Sequence, residues 1–77
     1  MALRNDPPRD VAAALTVRQR TAVALAAIGY DNKQIANELS LTMSGAAMLL
    51  ARARGRARLR TRAELVRAFR SGARVSP

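Results

Sequence analysis

Asn32-Lys33-Gln34-Ile35-Ala36-Asn37-Glu38-Leu39, then Ser40-Leu41-Thr42, then Met43-Ser44-Gly45-Ala46-Ala47-Met48-Leu49-Leu50-Ala51-Arg52-Ala53-Arg54-Gly55-Arg56-Ala57 is the stretch that decides the fold. Asp31 is a helix start, with Gln34 three residues on at capping-box spacing. The short helix that follows points Ile35, Ala36 and Leu39 inward. Thr42 starts a longer one, from about Met43 to Ala57, whose buried stripe is Ala46, Leu50, Ala53 and Ala57. Only Ser40, Leu41 and Thr42 separate the two. A short helix, a tight turn and a longer basic helix define a helix–turn–helix.

Working outward, Thr16 and Gln19 repeat the capping-box spacing. They predict a helix over about 17–28, stopped by Gly29 just past its end, with Val23, Ala26, Ala27 and Tyr30 on one face. Tyr30 is expected at the core edge. Thr61 and Glu64 form the best capping box of the chain and start a last helix burying Leu65, Val66 and Phe69. The fold class expected is therefore all-α: four short helices with a central helix–turn–helix. Residues 15–72 form the domain. Residues 1–14, with the breaker cluster Asp6-Pro7-Pro8-Arg9-Asp10, read as a flexible arm in which Val11 to Ala14 add at most a turn of helix, and residues 73–77 as a disordered tail.

Composition narrows the function. The chain has 77 residues, no Cys and no His, which excludes zinc fingers, thiol chemistry, imidazole catalysis and disulfide staples. No cofactor, metal or small-molecule ligand is expected, and a reducing cytoplasm is the expected compartment. Hydrophobic residues make up 49%, too many for a disordered tail. Alanine supplies 17 of them, so the core is small and its stability about 3–5 kcal/mol. Fourteen bases against five acids give a net charge of +9 and a pI near 11.9, which attracts polyanions. Nothing spans a bilayer, because the longest apolar run, 22–29, is far short of about 20 residues. Asp6 and Asp10 argue against a signal or transit peptide. No nucleophile has a base near it, so the chain is read as not an enzyme.

Leu15-Thr16-x-Arg18-Gln19, Gly29, Asn32-Lys33-Gln34-Ile35-Ala36-x-x-Leu39-x-Leu41-Thr42 and Arg62-Ala63-Glu64-Leu65 together resemble the LuxR-type (GerE-like) helix-turn-helix domain. The likeness covers about residues 15–72 without a gap. It implies a bacterial transcription regulator's DNA-binding output domain, standing alone. It also implies that the third predicted helix is the recognition helix and the fourth a dimer surface through Leu65, Val66 and Phe69. The departures fall where the family has threonine-valine-lysine-x-histidine and this chain has Gly45, Ala46, Ala47, Met48 and Leu49. The family's base-reading positions land on Ala47, Met48 and Ala51, none of which forms the bidentate contacts that Arg, Lys, Asn or Gln make. Apolar contact with a thymine methyl remains there, and it discriminates weakly. Arg56-Ala57 replaces a lysine-leucine pair, and Arg58 a glycine.

The outward face of the third predicted helix carries Ser44, Ala47, Met48, Ala51, Arg52 and Gly55. Ala47, Ala51 and Gly55 recur every fourth residue, a row of small side chains that either seats a partner helix or fills neutral positions. Arg52, Arg54, Arg56, Arg58, Arg60 and Arg62 alternate, a period that cannot face one side of a helix. They read as a broad phosphate-gripping surface in preference to a solvated polar face that complements the helix dipole. Lys33 matches a family lysine that approaches the DNA backbone. Thr42 is first a helix cap and second a phosphate contact.

The expected function is thus a small, nucleoid-associated cytoplasmic regulator that grips double-stranded DNA by its backbone and reads bases weakly. The residues that carry it are Lys33, Thr42, Ser44, Ala47, Met48, Ala51, Arg52, Arg56 and Arg58. The competing reading is a protein-binding module, an antiactivator or co-regulator that holds another transcription factor or RNA polymerase with Ala47, Met48, Ala51 and Gly55. A cationic membrane-active peptide ranks last, because it explains the charge and not the ordered motif set.

Overall fold

The computed structural model describes residues 9–72 and 74–75. The expected helices form where their caps lie. They are α2 (Val17–Ala27), α3 (Asn32–Leu39), α4 (Met43–Ala57) and α5 (Arg62–Ser71), preceded by a single turn, α1 (Val11–Ala14). The class is all-α. The only extended pairing among the described residues joins two-residue strands, β1 (Arg9–Asp10) and β2 (Arg74–Val75), in antiparallel register Arg9↔Val75 and Asp10↔Arg74.

Each start has the capping chemistry that the sequence predicts. Thr16, Asp31 and Thr61 accept from the backbone N–H of Gln19, Gln34 and Glu64, and those three side chains return the bond to the cap backbone. Thr42 accepts from the Gly45 N–H at 2.9 Å without a reciprocal partner. Four helices end with a residue in the left-handed region, α5 at Gly72 (φ 70°). After α2 it is Gly29, at φ 102°, with Gly29 N–H donating to Ala26 O and Tyr30 N–H to Leu25 O. After α3 and α4 it is Ser40 (φ 56°) and Arg58 (φ 59°), positions that carry a steric penalty for any side chain.

α2 packs against α4 and α5, and α3 against α4. The stripe Ala46, Leu50, Ala53 and Ala57 is buried as expected, facing Ile35, Ala36, Val23 and Leu65 in one core. Six of the twelve buried hydrophobic residues are alanine. Close helix approach replaces bulk, so the core holds few methylene groups and the margin of stability is small.

Two boundaries differ from the sequence reading. The folded part does not begin at residue 15: Val11 is 2% exposed and Leu15 4%, and Asp10 caps α1 by accepting from the Ala13 N–H. Val11 and Leu15 bury apolar surface that a free arm would leave in water, so the arm is docked from Arg9 onward. Of the tail, Arg74 and Val75 pair with that arm. Residues 1–8, which include Arg4, and residues 73, 76 and 77 lie outside the described residues. Among the described residues no helix is long and apolar enough to cross a membrane.

Candidate nucleic-acid interface

The α3–α4 unit is held from both sides. Leu41 N–H donates to Ala36 O at 2.8 Å and closes the turn. Arg18, on α2, donates to Leu39 O at 3.2 Å and satisfies a carbonyl at the end of α3. With its inner stripe in the core, α4 turns Ser44, Met48, Arg52 and Gly55 outward, all exposed, with Ala47 exposed at the flank and Ala51 half-buried. Lys33 is exposed at the start of α3, and Thr42 at the cap of α4. The residues singled out on the third predicted helix therefore do share one surface. Its apolar part centres on Met48, which is 53% exposed; Met43, also exposed, stands at the first position of α4 on another side.

The arginine run divides. Arg52, Arg58 and Arg60 are exposed, and none of the side-chain hydrogen bonds among the described residues uses their guanidinium groups. The other three hold the fold. Arg54 donates to Arg60 O at 2.7 Å, which ties the end of α4 to the following loop. Arg56 Nε donates to Ala14 O at 2.8 Å, so this expected phosphate contact also clamps the end of α1. Arg62 donates to Tyr30 O at 2.6 Å and to Asn32 Oδ1, which ties the start of α5 to the α2–α3 turn. The surface of six arginines expected from sequence is thus narrower. One local signal marks the exception: Arg62 occupies the first position of a helix, where a positive charge opposes the helix dipole and requires another reason.

The expected dimer set also divides. Leu65 is completely buried and belongs to the core, so it is not available to a second copy in this fold. Phe69 is half-buried and packs on the core edge. Val66 is half-buried and lines a shallow outward groove on α5 with Ala63, Arg67, Arg70 and Ser71. Gly55 has no atom within 4 Å of where a Cβ would stand, so no contact inside the described fold requires a glycine there. Sequence reasoning missed two exposed apolar side chains on α2, Val17 at 73% and Ile28 at 70%. Val17 is the first residue of α2 and Ile28 caps its end, and the apolar residues 22–28 run round the whole helix, so periodicity carries little signal.

No group of three His, Cys, Asp or Glu side chains among the described residues is placed to hold a metal ion. Glu64 has its pKa lowered because it accepts from the backbone N–H groups of Arg60 and Thr61, which favour the charged carboxylate. Compared with known proteins, the chain matches no protein-family model, no curated protein and no solved structure.

Proposed function

We propose that this chain is a small DNA-binding transcription regulator of the LuxR-like helix-turn-helix type, acting in the bacterial cytoplasm on the nucleoid. The observation that carries the reading is the α3–α4 unit with its outer face free, set beside exposed Lys33, Arg52 and Arg58 on a chain of net charge +9. α4 lies in the groove, and the cations on either side of it hold phosphates. Thr42 and Ser44 add hydroxyl groups at the N-terminal end of α4, where backbone N–H groups favour an anion. Sequence-specific readout is weak, so selectivity comes from DNA shape, from self-association through the Val66 side of α5, or from a co-regulator. The chain is read as a binder and not an enzyme.

The test is a titration of labelled nonspecific duplex DNA across salt concentrations, with Arg52→Ala/Arg58→Ala beside wild type. Engagement of about five phosphates gives a log–log slope of roughly −4 to −5, which falls by about two in the double variant. A slope near zero overturns the reading.

One observation favours a second reading. Met48 and Ala47 leave an exposed apolar zone on the outer face of α4, with no side chain at Gly55 two turns on. Such a zone suits a partner protein's helix, and the chain then acts as an antiactivator or co-regulator. Ala51→Glu abolishes that complex and leaves the fold intact; an unchanged complex counts against it.

A further inference from the structure

The geometry points to a specific chemical group read by the outer face of α4: a methyl group on carbon 5 of a pyrimidine in the major groove. This rests on the DNA-binding reading above and deepens it. Viewed down α4, each residue turns about 100°, and Met48 lies almost opposite the middle of the buried stripe Ala46, Leu50, Ala53 and Ala57. Its side chain is therefore the one directed most squarely away from the core on this face. Ser44 precedes it by one turn and Arg52 follows by one turn, both exposed. Ala47 and Ala51 present only methyl groups on its flank.

Of these groups, Met48 at the centre and Ala47 and Ala51 on its flank cannot form the bidentate hydrogen bonds that tell bases apart, and Ser44, one turn earlier, carries a single hydroxyl that pairs with any base. Every base-pair edge in the major groove offers donors and acceptors, and the thymine methyl is the one apolar group among them. A thioether flanked by methyl groups gains on contact with that methyl and leaves polar base edges unsatisfied. Arg52 sits one turn further along and fixes register on the phosphates. Charge complementarity supplies the occupant: an apolar zone this exposed, followed one turn on by exposed Arg52 on a chain of net charge +9, suits a polyanion whose groove has apolar points. Two bases carry the group, thymine and 5-methylcytosine. Both are substrates of the same surface.

The experiment uses the full chain and four alternating duplexes of equal length: A·T, the same with uracil for thymine, G·C, and the same with 5-methylcytosine for cytosine. Kd is measured at one salt concentration for wild type, Met48→Ala and Arg52→Ala, with helicity by circular dichroism as the check on folding. Met48 is half solvent-exposed and alanine is the best helix former, so Met48→Ala folds. Wild type binds the thymine duplex more tightly than the uracil duplex by roughly fourfold per methyl buried, and the methylated G·C duplex more tightly than the unmethylated one by a similar factor. Met48→Ala loses most of both preferences. Arg52→Ala weakens all four duplexes alike. A preference for the thymine duplex without one for methylated G·C assigns the site to thymine alone. Steep salt-dependent binding that is equal on methylated and unmethylated duplexes overturns the inference and leaves the DNA-binding reading standing. A methyl preference that survives Met48→Ala also overturns it, since DNA shape then carries the effect. Absence of binding to all four duplexes overturns the DNA-binding reading itself, and turns the same apolar face toward a protein partner.

Discussion

Removing the Arg62 guanidinium separates the arginines that hold the fold from those proposed to hold DNA. In Arg62→Ala two charged hydrogen bonds are lost, to Tyr30 O at 2.6 Å and to Asn32 Oδ1. Hydrogen bonds to charged groups contribute about 1.5–3 kcal/mol each when buried. Arg62 is half-buried, and water reaches part of the site once the side chain is gone, so the pair together is taken as about 2 kcal/mol. Against this, a positive charge leaves the N-terminus of α5, which returns about 0.5 kcal/mol. The net loss is about 1.5 kcal/mol, a large share of a total of about 3–5 kcal/mol. For a domain of this size it lowers Tm by roughly 6–12 °C. The assay is thermal and urea unfolding followed by circular dichroism, with Arg70→Ala, an exposed α5 arginine, as the control. Arg62→Lys recovers only part of the loss, because an ammonium cannot fork between a carbonyl and an amide oxygen as the planar guanidinium does. Under conditions where all variants are folded, Arg62→Ala keeps the salt slope of DNA binding, and Arg52→Ala lowers its magnitude by about 0.9. A melting temperature for Arg62→Ala equal to that of Arg70→Ala refutes the reasoning.

Four further outcomes follow from the same geometry. Arg58→Gly relieves the left-handed backbone at the end of α4 and raises stability by about 1 kcal/mol in urea unfolding, at the cost of one phosphate contact; an unchanged midpoint contradicts the strain. Gly55→Ala fills open space on an exposed helix face and gains about 0.5–1 kcal/mol without weakening DNA binding, whereas loss of a co-purifying protein in that variant favours the partner reading. Glu64 has a lowered pKa in the folded state, so its contribution is fully present above the unfolded value near 4.5 and is lost as pH falls through the folded value; Glu64→Gln flattens that acid limb of the stability profile, and an unaltered limb contradicts the assignment. Leu65→Ala costs about 2–5 kcal/mol and unfolds most of the chain, whereas Val66→Glu melts near wild type and reports on self-association by sedimentation; a stable Leu65→Ala variant removes Leu65 from the core.

What was legible in the sequence was local chemistry. A threonine or aspartate with glutamine or glutamate three residues on marks a helix start because both ends of the motif act within one turn, and Thr16, Asp31 and Thr61 start helices for that reason. The Ala46, Leu50, Ala53 and Ala57 stripe was legible because its spacing is that of one helix face. The docking of Val11 and the exposure of Val17 and Ile28 were not, since α1 is a single turn without a period and the apolar residues 22–28 run all round α2, so only neighbours decide which side is covered. The arginines were the least legible, for a physical reason. A guanidinium serves a phosphate and a backbone carbonyl with the same donors, so composition announces both uses at once. The carbonyls that claim Arg54, Arg56 and Arg62 belong to Arg60, Ala14 and Tyr30, one of them 42 residues away in sequence. A core that is half alanine offers little apolar area, and these long polar side chains tie the ends of its short helices together where larger apolar residues would otherwise do so. Stability and the proposed polyanion binding therefore draw on one residue type in this chain. The two roles separate only by acceptor: Arg54, Arg56 and Arg62 have a carbonyl of this chain, and Arg52 and Arg58 are left exposed for the proposed phosphate contacts.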